Sequence, residues 1–90
     1  MNEVTNFHNE ILNNNQAIVE YYTTNPKDVI KLCDLDINLL SDLAIEFNNA
    51  LNNEELTPFN KTQIRKALVA TVLAIKKIEK NYKLDQSKVR

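Results

Sequence analysis

The sequence predicts a small all-α domain, an antiparallel four-helix bundle whose second helix is short. Apolar residues recur at helical spacing along the whole chain, and no segment shows the alternation of a half-buried strand. Ninety residues are enough for one domain with one modest core, so residues 1–90 are expected to form a single domain. The connections between predicted helices are short, which favours antiparallel neighbours. Residues 84–90 are predicted to be a frayed tail.

The first two predicted helices are separated by a proline. The first covers about residues 2–22, and the asparagines at positions 13–15 interrupt its apolar stripe, which predicts a kink or a split. Asn25 followed by Pro26 combines a cap residue with proline at the first helical position. This pair predicts that a short second helix covers about residues 26–34.

The fourth predicted helix begins near Asn60. Asn60 and Gln63 have capping-box spacing, and Phe59 can pack onto Ile64. The apolar stripe of this helix advances by alternating steps of four and three residues, which is typical of a bundle or coiled-coil seam. Its members are Ile64, Leu68, Thr71, Ile75, Ile78 and Tyr82.

The helix ends must be closed without glycine, because the chain contains none. Asparagine is the next-best residue in the left-handed conformation, so asparagines are expected to end several helices in that conformation. Asp36 is expected to cap the third helix, which covers about residues 37–52. The abundance of Asn, Lys and Ile also indicates an AT-rich genome, such as that of a low-GC bacterium or phage.

The composition disfavours several classes of protein. Phosphate-cradling loops, dinucleotide fingerprints and nucleophile elbows all require glycine. Cys33 is the only cysteine, so no disulfide can form within the chain. The first lysine is Lys27 and Glu3 precedes any apolar run, so no secretory signal is predicted. The apolar run at 67–75 is shorter than the roughly 20 residues of a membrane span. The cytoplasm is therefore the predicted compartment.

The charges divide between the two parts of the chain. Residues 1–56 carry ten acids and two lysines, and residues 57–90 carry nine bases and two acids, so the formal charges are −8 and +7. Such asymmetry can indicate a basic surface for nucleic acid, anionic lipid or an acidic partner. Alternatively, the acidic part folds against the basic last helix and the surface is mixed.

The basic residues of the final helix define the candidate partner-binding site. Turned by about 100° per residue, five of them lie opposite the core stripe. They are Arg65, Lys66, Lys76, Lys77 and Lys80. Val69 and Leu73 lie among them, which burial of only one side of the helix does not explain. Either the helix is central and contacted on both sides, or these seven residues form an interaction patch for a second copy or a foreign protein.

The remaining candidate residues favour a chain without catalytic, cofactor or metal sites. His8, the only histidine, has no carboxylate or second histidine at ligand spacing, and Cys33 has no partner histidine. Residues 29–43 loosely match a helix-turn-helix. Its second helix would present Asp42 and Glu46 to DNA without any Lys or Arg, so DNA would repel it.

The segment from Leu39 to Ile75 reads LLSDLAIEFNNALNNEELTPFNKTQIRKALVATVLAI. It resembles the immunity proteins that protect Gram-positive bacteria from their own pediocin-like (class IIa) bacteriocins. These proteins similarly contain, in this order, an amphipathic helix, a short polar connector (residues 52–59 here) and a lysine-rich final helix. The resemblance implies a cytosolic antiparallel four-helix bundle without enzymatic activity, with specificity carried by the C-terminal half. The implied target is the membrane-embedded mannose phosphotransferase permease.

The sequence therefore predicts a non-enzymatic protein-binding module, with bacteriocin immunity as the first interpretation. The alternative is a small phage- or plasmid-encoded regulator that binds and inhibits a host protein through the same residues. Nucleic-acid binding by the basic last helix is the least favoured interpretation, because residues 1–90 contain only two arginines and no glycine–aromatic platform.

Overall fold

The computed structural model describes residues 2–88, with the side chains of residues 6–81, and every regular element in this part of the chain is an α-helix. The helices are α1 (Asn2–Asn14), α2 (Gln16–Thr24), α3 (Pro26–Leu32), α4 (Ile37–Ala50) and α5 (Pro58–Lys88). The all-α prediction is confirmed. The four-helix bundle is not confirmed, because the described residues form five helices.

The fifth helix arises because the predicted first helix is split at Asn15. The side-chain amide of Asn15 donates to the carbonyl oxygen of Ile11 at 2.8 Å. In a continuous helix that carbonyl would accept the backbone N–H of Asn15, which instead donates to Leu12 over 3.2 Å. The amide side chain thus takes over a backbone hydrogen bond, and α2 starts one residue later.

Asn25 ends α2 in a similar way. Its side-chain amide and its backbone N–H both donate to the carbonyl of Tyr21, each at 2.9 Å. Pro26 then occupies the first position of α3, as predicted. The prediction that such asparagines adopt the left-handed conformation is wrong, since no described residue has a positive φ. Asn15 and Asn25 have φ values of −127° and −118°.

The cap of α4 was correctly predicted and that of α5 was not. Asp36 accepts the backbone N–H of Asn38 at 2.7 Å, as expected of an N-cap. At α5 the cap is Thr57, whose hydroxyl accepts the N–H of Asn60 at 3.2 Å. Pro58 follows as the first helical residue. Helix α5 therefore begins two residues before the predicted start, and Asn60 lies inside it.

The final helix α5 is the centre of the fold. It packs against each of the other four helices, most extensively against α4. Leu40 and Ala44 of α4 form a core cluster with residues of α5, and Ile11 and Val29 add to this cluster from α1 and α3. The α5 members are Leu68, Val72, Ala74 and Ile75. The other helices are thus arranged around one long helix.

Helix α5 extends to Lys88, and fraying of residues 84–90 stays a prediction. In the part of the chain that the structure describes, no helix combines the length and the apolar character needed to cross a membrane.

The Asp36 cap can be tested by substitution. Asp36→Ala leaves the N–H of Asn38 without its acceptor, so we expect the free energy of unfolding to fall by about 1 kcal/mol. Urea denaturation followed by circular dichroism measures this change. Asp34→Ala is the matched control, because it removes the same charge from an exposed position that caps no helix, and its effect should stay within about 0.5 kcal/mol. Equal losses for the two variants would contradict the assignment of Asp36 as the cap.

Candidate functional site

The seven predicted partner-binding residues all lie on α5, but they differ in accessibility. Arg65, Lys77 and Lys80 are exposed. Lys66, Leu73 and Lys76 are partly buried. Val69 has 0% of its surface exposed and cannot contact a partner while the fold is intact.

The burial of Val69 removes it from the predicted patch. Leu73 keeps part of its surface, but it also packs against the core cluster. The physical reason is that α1, α2 and α3 all contact α5, in addition to α4. A central helix contacted on both sides, one of the two interpretations of the sequence, therefore accounts for an apolar residue at position 69.

Two of the lysines support the packing of α1 and α2 on α5. The Nζ atom of Lys66 lies 5.7 Å from the centre of the Tyr21 ring, a cation–π arrangement worth roughly 0.5–1 kcal/mol at an exposed site. Lys76 donates a hydrogen bond to the side-chain oxygen of Asn9. Neither partner carries a negative charge. Both lysines therefore keep a positive charge that an acidic partner could neutralise.

Phe59 lies on the same side of α5, although it is not among the seven predicted partner-binding residues. It was expected to pack onto Ile64, but it is 70% exposed, the largest value among the exposed large apolar residues in the described part of the chain. The earlier start of α5 places Phe59 in the helix, seven residues before Lys66 and fourteen before Leu73. Seven residues are about two helical turns, so these side chains point in similar directions.

These residues define a surface that we call the α5 outer stripe. Its members are Phe59, Lys66, Leu73, Lys77 and Lys80. The half-exposed ring of Tyr21 lies beside it, next to Lys66. Aromatic residues at a surface, surrounded by charged groups, are characteristic of protein–protein interfaces. The signal for Phe59 was present in the sequence as Thr57-Pro58, a cap residue followed by proline at the first helical position.

Arg65 lies at the border of this stripe. It lines a shallow, open depression together with residues 14–18, where α1 ends and α2 begins. The depression contains the side chains of two asparagines and one glutamine. Arg65 thus adds a positive charge to the surface that α1 and α2 share with α5.

His8 contacts α5 from α1 and is almost entirely buried, with 3% of its surface exposed. Burial lowers the pKa of His8 from its usual value of 6.5, the charge of Glu79 opposes this change, and the charge of Lys76 reinforces it. The ring of Phe7 lies beside it, with 5.7 Å between the ring centres. The neutral form of His8 is therefore the one that suits the contact between α1 and α5.

Cys33 is partly buried against the last helix. Its Sγ atom lies 3.8 Å from the carbonyl oxygen of Ala74, which fits a thiol that donates a weak hydrogen bond. Within the described residues, no group of three or more His, Cys, Asp or Glu side chains is arranged to hold a metal ion.

Comparisons of the chain with protein-family models, with curated proteins and with solved structures found no match. The resemblance to bacteriocin immunity proteins consequently stays a prediction from the sequence.

The burial of Val69 can be checked through stability. Val69→Ala removes two buried carbon atoms, so we expect the free energy of unfolding to fall by about 2 kcal/mol. Phe59→Ala removes an exposed ring and should change that free energy by less than about 0.5 kcal/mol. Urea denaturation of both variants provides the comparison. If Val69→Ala leaves the free energy of unfolding unchanged, the assignment of Val69 as buried is wrong.

The lowered pKa of His8 predicts how stability depends on pH. Below about pH 6.5, His8 binds a proton in the unfolded chain but stays neutral in the folded chain, because its pKa is lower there. The free energy of unfolding should therefore decrease as the pH falls. The loss is complete once the pH lies below the pKa of His8 in the folded protein. Urea denaturation between about pH 7 and pH 5.5 measures it. His8→Gln cannot titrate and should flatten this dependence, whereas an unchanged slope in that variant would exclude His8 as its source.

Proposed function

We propose that the chain is a non-enzymatic protein-binding module of the bacteriocin immunity type, and that it binds its partner through the α5 outer stripe. The observation that carries this proposal is the combination of Phe59, 70% exposed, with the lysines on one side of the final helix. Large apolar side chains are normally buried on folding, and an exposed one within a basic surface is a candidate anchor for a partner.

The charges of this surface favour an acidic partner. Lys77 and Lys80 are exposed, and the Nζ atom of Lys66 lies over the uncharged ring of Tyr21. Opposite charge on a partner would steer the encounter and fix the orientation, while Phe59 would supply contact area. The resemblance to immunity proteins adds two expectations, namely that specificity lies in the C-terminal half and that the partner belongs to a membrane permease complex reached from the cytoplasm.

Protection of a sensitive strain tests the proposal directly. The chain is expressed in a bacterium that pediocin-like bacteriocins kill, and the minimal inhibitory concentration of each bacteriocin in a panel is measured. We expect the wild-type chain to raise this concentration for at least one of them. Phe59→Ala should reduce the protection about tenfold, since losing one anchor costs about 1.4 kcal/mol of binding. Lys77→Glu/Lys80→Glu should also weaken it.

The matched control reverses two lysines outside α5. Lys27→Glu/Lys31→Glu changes the net charge by the same amount at exposed positions of α3 and should protect like the wild type. Immunoblotting confirms equal amounts of every variant. If the wild type protects against no member of the panel, the immunity assignment is wrong. Equal protection by the Lys77→Glu/Lys80→Glu variant and the control would exclude these lysines from the binding surface.

A further inference from the structure

The side of α4 that faces away from the core carries a second charged surface. Leu40 and Ala44 point into the core, while Leu39, Asp42 and Glu46 are exposed. At about 100° per residue, these three side chains lie within about 60° of each other around the helix. We call them the α4 outer stripe. Leu39 is 47% exposed, so this stripe combines an accessible apolar side chain with two carboxylates.

The C-terminal part of the α5 outer stripe has the same organisation with the opposite charge. Leu73 is followed by Lys77 and Lys80, just as Leu39 is followed by Asp42 and Glu46. In each set the first and last residues are seven positions apart, which is about 10 Å along a helix. Both lysines are exposed, and Leu73 keeps part of its surface accessible.

The two stripes cannot meet within one molecule. Leu40 and Ala44 of α4 share the core cluster with Leu68 and Ile75 of α5, and α4 makes the most extensive contact with α5. Leu73, Lys77 and Lys80 are turned from Ile75 by about 140–160°, so they lie on the opposite side of α5 from Ile75. Leu73 also packs against the core cluster, so only part of its side chain is accessible there. The α4 outer stripe in turn faces away from α5, because Leu40 and Ala44 make the contact.

We propose that the α4 outer stripe of one molecule binds the α5 outer stripe of a second copy of this chain. A parallel alignment of the two helices brings Leu39 to Leu73, Asp42 to Lys77 and Glu46 to Lys80. The two surfaces are complementary in charge and similar in spacing. Such an interface joins different surfaces, so it is heterologous and builds head-to-tail chains of molecules rather than a closed two-fold dimer.

This association depends on exposed charges, so it is weak and sensitive to salt. It does not rest on the proposed function, since it involves no foreign protein. A foreign acidic partner would compete with the second copy for Lys77 and Lys80.

Sedimentation and light scattering at low and high salt test the proposal. At about 0.01 M salt, where the Debye length is about 30 Å, the average mass should exceed the 10.4 kDa of one chain and rise with concentration. At about 1 M salt it should return to 10.4 kDa. Asp42→Lys/Glu46→Lys and Lys77→Glu/Lys80→Glu should each remain monomeric at low salt. The variant that combines all four substitutions keeps the net charge and restores complementarity, so it should associate again.

Two control variants separate local contacts from overall charge. Lys27→Glu/Lys31→Glu has the same net charge as Lys77→Glu/Lys80→Glu, and Glu54→Lys/Glu55→Lys has the same net charge as Asp42→Lys/Glu46→Lys. All four control positions are exposed and outside both stripes, so both variants should associate like the wild type. Circular dichroism shows that each variant keeps its helices.

A wild type that stays at 10.4 kDa in low salt overturns the proposal. So does association of either stripe variant alone, or failure of the four-fold variant to associate. These results leave the protection experiment unaffected. Conversely, if the chain associates as described but protects no strain, this inference holds and the proposed function is wrong.

Discussion

The structure depends on burying the middle of α5 from every side. Seven of the eight residues from 68 to 75 are buried, and the eighth, Leu73, is partly buried. Burial that extends around the full circumference of a helix requires several neighbours, and α5 is in contact with all four other helices. Helix α4 makes its main contact with α5, and α1–α3 also pack on it, so each of the other helices gains tertiary stability from contact with α5.

This central burial also limits which residues of α5 are accessible. The covered middle of α5 removes Val69 from the surface and leaves Leu73 only partly accessible. The accessible residues lie towards the two ends, with Phe59 near the start and Lys77 and Lys80 beyond the buried segment. Lys66 and Lys76 lie between these regions and help to hold α2 and α1 on α5 through Tyr21 and Asn9. Two of the predicted partner-binding lysines thus take part in contacts between the helices.

The distribution of charge follows from the same arrangement. The acidic part of the chain supplies the helices that surround the basic α5, but the two described lysine contacts are with an aromatic ring and an amide. Asp42 and Glu46 point away from α5, and Lys77 and Lys80 point away from α4. The chain has a net charge of −1, yet Asp42 and Glu46 on α4 and Lys77 and Lys80 on α5 form an acidic and a basic group of exposed side chains. Surfaces of this kind favour oriented, salt-dependent contacts.

The sequence by itself determined the local features of this protein, because they depend on neighbouring residues. Helical spacing predicted the all-α class, Asp36 and Pro26 marked helix starts, and the asparagines at 13–15 marked the break that separates α1 from α2. Only the tertiary structure decided that Val69 is buried and Phe59 exposed. Periodicity shows that a helix has apolar positions, but the number of helices that cover them depends on how distant segments pack. For that reason the sequence names the lysines only as candidates, whereas the exposure of Phe59 beside them is known from the structure.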